Sequence, residues 1–294
     1  MLAIGLAIFS AVGFGSAAIF ARLGMQHIRP VPSTLISSVA SFFPTALLAL
    51  IFALSDIRAL PPVAMLWFLG HGALTFLGGR AQNHMSINLI GASRSGPFIA
   101  SATLFAAIFA TTITGERLSP LVALGTVAVV GGLLLSTGDI WRQEWQRDRR
   151  SLMGYALALG AAASYGGSNL VAKELSLLYG SPLVVAAFSL FFGITLLTPI
   201  AGRGAIEGVR SSTTGLGFTA LSGLAAAAAV ISLYFAFQRS DVVIISPISS
   251  ANPLVTLFLA HFFLERLERV TLLILSGTVL TVLGVVLVVI GSTL

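Results

Sequence analysis

Apolar residues run along the chain in stretches of about 20, separated by short polar interruptions, from one end to the other. A helix of that length covers about 30 Å, the thickness of a bilayer's hydrocarbon core. The pattern predicts about ten such helices, over 2–22, 32–54, 62–88, 96–114, 119–137, 152–173, 181–201, 214–238, 242–264 and 270–291. Backbone groups left unpaired in hydrocarbon cost several kcal/mol each, so only helices or a closed barrel can span a bilayer. Runs this continuous lack the alternation of barrel strands. The first run has no basic region after Met1 and is too long for a signal core, so it reads as a spanning helix.

The polar interruptions repeat. Phe14-Gly-Ser-Ala-Ala-Ile-Phe-Ala-Arg22 returns as Tyr165-Gly-Gly-Ser-Asn-Leu-Val-Ala-Lys173, and Gly115-Glu116-Arg117-Leu118 returns as Leu264-Glu265-Arg266-Leu267. Glycines seven apart follow each of the later motifs, Gly125 with Gly132 and Gly277 with Gly284. The offset stays near about 150 residues, as expected of a duplicated membrane half. Two halves are therefore expected, 1–137 and 152–294, joined by a linker at 138–151. An odd number of spans in each half inserts the halves in opposite senses. The predicted fold class is all-α integral membrane, with ten transmembrane helices as two inverted five-helix repeats. In such folds substrate binds near the midplane, at the repeat interface.

Composition agrees with lipid as the solvent: 56% of residues are hydrophobic, 9% are charged and the mean hydropathy is +1.00, against roughly 25% charged in a soluble domain. The chain has no cysteine, which excludes disulfides and thiolate metal sites and leaves the redox compartment open. Its net charge of +6 has one concentration, Arg142, Arg147, Arg149 and Arg150 in the linker, interleaved with Asp139, Glu144, Asp148, Trp141 and Trp145. That stretch reads as a solvated connector with aromatic anchors, or as a short interfacial helix, and not as a nucleic-acid patch. Enzyme motifs of the H-E-x-x-H, G-x-S-x-G and P-loop types are absent, and carboxylates are too sparse for paired acid-base work. The chain is expected to be no enzyme, to need no cofactor or metal, and to draw on a gradient instead of ATP.

The third segment carries the costliest residues. Arg80, Asn83, His84 and Asn88 fall at steps of three and four and share one face of a helix, with His71 further back. Arginine within a span costs roughly 2.5–3.5 kcal/mol on insertion scales. Its planar fork suits an anionic group on a substrate. The alternative is snorkelling, because a helix ending near Asn88 leaves Arg80 roughly 12 Å from the interface. His84 can titrate and carry protons, or hold a structural hydrogen bond. The equivalent positions in the second half are Val230 and Tyr234, so the stripe belongs to one half alone.

In the ninth segment, Ser246-Pro-Ile-Ser-Ser-Ala-Asn-Pro253 frees backbone carbonyls that need partners, which suits a cavity wall better than lipid. Ser249 and Asn252 are the candidates there, against a plainer role in bonding neighbouring helices. Tyr165, Ser168 and Asn169, with Phe14 and Ser16 in the first half, offer either substrate contacts or small surfaces for close packing. Glu116 with Arg117 and Glu265 with Arg266 read as charges at helix ends that close loops or pair across repeats. Arg22 and Lys173 read as interfacial anchors. The seven-spaced glycines suggest tight helix packing, within one chain or across a dimer.

Phe14-Gly15, Tyr165-Gly166, the motifs at 115–118 and 264–267 and Ser-Ala-Asn-Pro at 250–253 resemble EamA-type members of the drug/metabolite transporter superfamily, over nearly the whole chain. The resemblance implies a ten-helix fold of two inverted repeats that moves small organic metabolites, commonly amino acids. It also implies that the first, third and fourth helices of each repeat line the path. One departure stands out: the first half has Ala102-Thr103 where the second has Asn252-Pro253, although Pro97 and Pro247 both lie earlier. The two segments are therefore expected to bend differently.

The function expected is a secondary transporter, exporting metabolites by alternating access through a central cavity; a lipid or lipid-linked flippase, or a channel, is the alternative on the same fold. Its substrate-binding residues would be Arg80, Asn83, His84, Phe14, Tyr165, Asn169, Ser249 and Asn252. Partners would be the lipid bilayer, a small-molecule substrate, protons as coupling ion and a second copy in a homodimer, with no nucleic acid. The location expected is the bacterial inner membrane. Lys and Arg are commoner in loops after odd-numbered helices, which puts the termini outside. The resemblance puts them in the cytoplasm.

Overall fold

In the computed structural model the chain is all-helical, and residues 1–116, 119–136, 149–263 and 272–291 are described. The first two predicted spans are α1 (Leu2–Gly24) and α2 (Pro30–Phe52), followed by the short α3 (Leu54–Arg58). The third is a rod of α4 (Val63–Gly72), a π-helical stretch over Ala73–Ala81, and α5 (Gln82–Ile90). The fourth comprises α6 (Ala92–Ala100), α7 (Ala102–Phe109) and a second π-helical stretch, Ala110–Thr114; α8 (Pro120–Ser136) is the fifth. Beyond the linker come α9 (Arg149–Leu178), α10 (Pro182–Ser211), α11 (Thr213–Phe237), α12 (Val242–Ser249), α13 (Asn252–Phe263) and α14 (Leu272–Gly291).

Among the described residues, five stretches are long and apolar enough to cross a membrane: α1, α2, α10, α11 and Val242–Ala260, which runs through α12 and α13. Phe98–Thr114, Pro120–Leu135 and Val279–Gly291 are shorter apolar helices. Trp141, Trp145, Arg142 and Arg147 of the linker, and with them the expected interfacial helix, lie outside the described residues, as do Arg117, Glu265 and Arg266.

Helix starts follow local chemistry. Proline opens α2, α8 and α10, where its missing N–H would have had no helical partner. Ser181 Oγ accepts from the Leu183 N–H at 3.2 Å at the head of α10, and Ser212 Oγ from the Gly215 N–H at 3.0 Å at the head of α11.

The polarity of the bundle is inverted relative to a soluble domain. Phe43, Phe52, Leu66, Ile113, Ile200 and Phe258 face outward, while serines and threonines such as Ser37, Ser41, Thr45, Ser168 and Ser189 are buried. Lipid tails are as apolar as leucine, so packing here relies on small residues and hydrogen bonds between helices. The α2 hydroxyls show the local solution: Ser38 Oγ donates to the Thr34 carbonyl at 2.8 Å, Ser41 Oγ to the Ser37 carbonyl at 2.9 Å and Thr45 Oγ1 to the Ser41 carbonyl at 2.8 Å. Ser41 also lies 2.6 Å from the Gly223 carbonyl of α11, which ties the two halves together.

Contacts between the halves are reciprocal. Helix α1 packs on α11 and on α12 and α13, while its counterpart α9 packs on the α4–α5 rod and on α6 and α7. Helix α2 lies on α10, and α8 on α14. A methyl group on Gly15 would stand 2.8 Å from the Asn252 carbonyl oxygen, and one on Gly166 2.9 Å from that of Ala102. Only glycine permits those approaches. The seven-spaced glycines work within the chain: a methyl on Gly125 would stand 2.7 Å from the Gly284 carbonyl, and one on Gly132 2.6 Å from that of Gly277.

The fourth and ninth segments are both interrupted. Helix α6 ends before Ser101 and α12 before Ser250. At each break the ladder tightens by one residue, with the Ser101 N–H on the Phe98 carbonyl at 3.1 Å and the Ala251 N–H on that of Ile248 at 3.3 Å. The feature common to both is the proline four residues upstream, Pro97 and Pro247.

Candidate functional site

A cavity of about 170 Å³ opens between the two halves. Its wall contains Arg80, Asn83, His84, Phe14, Tyr165, Asn169, Ser249 and Asn252, and also Val230 and Tyr234, the second-half counterparts of Arg80 and His84. Asn88 and Ser16 are not on the wall; Ser16 Oγ instead donates to the Val12 carbonyl at 2.9 Å.

The π-helical stretch sets the position of Arg80. An extra residue in one turn rotates everything after it, and such turns are frequent at functional sites. Gly78 and Gly79 let this turn press on α9: a methyl on Gly79 would lie 2.5 Å from the Tyr165 ring. Arg80 is 9% exposed, about 15 Å of helix from the end of α5 at Ile90. Its Nη1 donates to Ser41 Oγ at a long 3.4 Å, and its guanidinium stands 6.0 Å from the Phe76 ring. Among the described residues it has no carboxylate partner within ion-pair distance.

Its neighbours are unevenly satisfied. Thr34 Oγ1 donates to the Pro30 carbonyl at 3.0 Å, so it accepts from His84 Nδ1 at 3.0 Å, which puts a proton on Nδ1. Asn83 Oδ1 is buried and has no hydrogen-bond partner.

A second polar group surrounds the interrupted ninth segment. Ser249 Oγ lies 3.3 Å from Ser10 Oγ of α1, Thr103 bonds Ser250 across the halves, and Asn169 Nδ2 reaches Ser246 Oγ at 3.5 Å. Pro253 has no N–H to give the Ser249 carbonyl, and Asn252 Nδ2 supplies the missing donor at 3.1 Å. Asn252 therefore lines the cavity and repairs the backbone together. Asn252→Leu is expected to cost about 1–3 kcal/mol of stability, the price of stranding a buried carbonyl. Thermal unfolding in detergent measures it, and an unchanged midpoint would mean that the carbonyl is satisfied without the side chain.

His71 was legible only as a polar residue further along the third segment. In the fold it is a hub: Nδ1 lies 2.6 Å from Ser189 Oγ, and Nε2 lies 2.9 Å from Ser168 Oγ, 3.3 Å from Thr75 Oγ1 and 3.4 Å from the Tyr234 hydroxyl. Those partners come from four elements, and all four line the cavity. No spacing along the chain announces them.

Lys173, expected to be an interfacial anchor, joins the halves instead. Its Nζ stands 2.7 Å from Glu116 Oε1, past the end of the second π-helical stretch, and 2.8 Å from Asp241 Oδ1, at the head of α12. Glu116 Oε2 also accepts the Val243 N–H of α12 at 3.1 Å, so it caps that helix. Arg22, the counterpart of Lys173, donates to the Ile87 carbonyl at 3.3 Å.

The sequence profile of the EamA-like transporter family matches residues 1–138 and 152–290, one copy on each half. A solved structure described only as a crystal structure of a protein superposes with a TM-score of 0.73, at 17% identity over 98% of this chain and 98% of that one, a likeness of fold. No curated protein matches the chain.

Proposed function

We propose, from the premise that the chain belongs to the EamA-like transporter family, that it exports small organic metabolites, amino acids among them, by alternating access to the central cavity. Membership makes it a multi-pass membrane protein that moves small molecules. The observation that carries the finer reading is the cavity itself. Both halves build it, and it sets a buried cation and two polar groups among apolar walls. Ligand sites are built this way, from mostly apolar surface with a few converging polar groups.

Ten spans in two inverted repeats are supported by the reciprocal packing of α1 and α9 and by the matched breaks at Ser101 and Ser250. The Glu116, Lys173 and Asp241 cluster would hold one end of the cavity shut, and opening to that side parts it. A nucleotide motif is absent from the sequence, so a gradient supplies the energy, with protons as the coupling ion. The bacterial inner membrane is the proposed location. The seven-spaced glycines are occupied within the chain, so a homodimer would form on another face.

Uptake of labelled amino acids and small metabolites into proteoliposomes, with and without a pH gradient, tests this. Saturable entry that rises with the gradient is expected. Entry that never saturates points to a channel, and scrambling of labelled lipid without solute entry points to a flippase; either result would displace the proposal.

A further inference from the structure

We infer that the cargo is a small organic acid carried as its monoanion, with the carboxylate on Arg80 and a neutral hydrogen-bond donor beside it on Asn83 Oδ1. This rests on the transport reading and narrows it. Arg80 is the one cavity-lining side chain, among the described residues, that is charged throughout the physiological range. No described aspartate or glutamate lines the wall. His84 Nδ1 is engaged by Thr34, and the hub around His71 is satisfied by hydroxyls and a carbonyl.

A buried charge without a counter-ion is costly, and a ligand that cancels it binds where one that does not is rejected. A monoanion neutralises the cavity. A zwitterionic amino acid leaves the net charge as it found it and brings an ammonium that meets no carboxylate. An amine adds a second positive charge. The unpartnered Asn83 Oδ1, one turn beyond Arg80, adds a requirement of its own: a buried acceptor left unpaired is penalised, and a hydroxyl next to the carboxylate would satisfy it. A 2-hydroxy acid meets both conditions, a 2-oxo acid only the first. The apolar wall, with Phe14, Leu190, Val230 and Leu233, suits a hydrocarbon or aromatic body.

The test uses matched series that differ only at the head group: phenyllactate, phenylpyruvate, phenylalanine and phenethylamine, and the corresponding set built on leucine. Uptake is measured into vesicles of phosphatidylethanolamine and phosphatidylglycerol containing the full chain, beside an Arg80→Gln variant whose folding is checked by thermal unfolding. The hydroxy acid is expected to lead, the oxo acid to follow, and the amino acid to enter at least about tenfold less efficiently, with the amine excluded. Arg80→Gln is expected to erase the preference for acids. If the amino acid or the amine enters best, the inference falls and the transport reading stands. If the preference survives in folded Arg80→Gln, the assignment to Arg80 is overturned. Entry of none of the compounds by the wild-type chain would overturn both.

Discussion

Replacing Arg80 with lysine is expected to impair transport strongly, and replacing it with alanine to abolish it nearly completely. A charged hydrogen bond contributes about 1.5–3 kcal/mol, so loss of the bidentate fork corresponds to roughly 10- to 150-fold in apparent affinity. Lysine keeps the charge but offers a point donor in place of a planar pair. A snorkelling anchor would tolerate the exchange, because lysine reaches an interface as readily as arginine. The geometry opposes snorkelling: Arg80 is buried beside Ser41 and Phe76, well inside the rod that ends at Ile90. Initial rates over a range of substrate concentrations check the prediction. A lysine variant with unchanged affinity and rate would reduce Arg80 to an anchor.

The ion cluster gives the second large effect, and here the ranking of variants carries the test. The side chains of Glu116 and Lys173 are 7% and 13% exposed, while that of Asp241 is 52% exposed. Removing one partner of a buried pair costs up to about 3–5 kcal/mol when the other charge is left alone, and less here, because Lys173 keeps the half-exposed Asp241 at 2.8 Å. An exposed partner contributes about 1 kcal/mol or less. Glu116→Ala is therefore expected to destabilise the protein far more than Asp241→Ala, and more still for loss of the cap on the Val243 N–H. Unfolding of the two variants in detergent decides it, and equal or reversed losses would contradict the placement of Glu116.

Much of this architecture was legible because membrane helices announce themselves by length and apolarity, which are local properties. The first run was read as 2–22 and forms Leu2–Gly24; the eighth was read as 214–238 and forms Thr213–Phe237. Spacing also identified Gly125 and Gly284 as packing positions, although only the fold shows that they face each other. The π-helical stretch was not legible, since Gly78-Gly79 is compatible with an ordinary helix and the extra residue is stabilised by contact with Ser164 and Tyr165. Asn88 follows Asn83 and His84 in the ordinary helix α5, but the cavity wall ends with Ile87 on that helix and does not reach it.

Residues that depend on partners from distant segments were also hidden. Apart from Thr75, His71 draws its partners, Ser168, Ser189 and Tyr234, from the other half. Lys173 looked like an anchor because its two carboxylates lie far away in the chain, at Glu116 and Asp241. The buried hydroxyls of α2, Thr34, Ser38, Ser41 and Thr45, fall at helical spacing and mark the side of that helix turned inward.

The central claim, one cavity reached alternately from the two faces of the membrane, has a direct test that the sequence makes clean. The chain contains no cysteine, so Val230→Cys places a single thiol on the cavity wall. Its labelling by a membrane-impermeant thiol reagent is followed from each face of oriented vesicles, with and without transported substrate. Alternating access predicts modification from both faces, with substrate protecting the thiol on each. Modification from one face only, whatever the substrate present, would contradict the account.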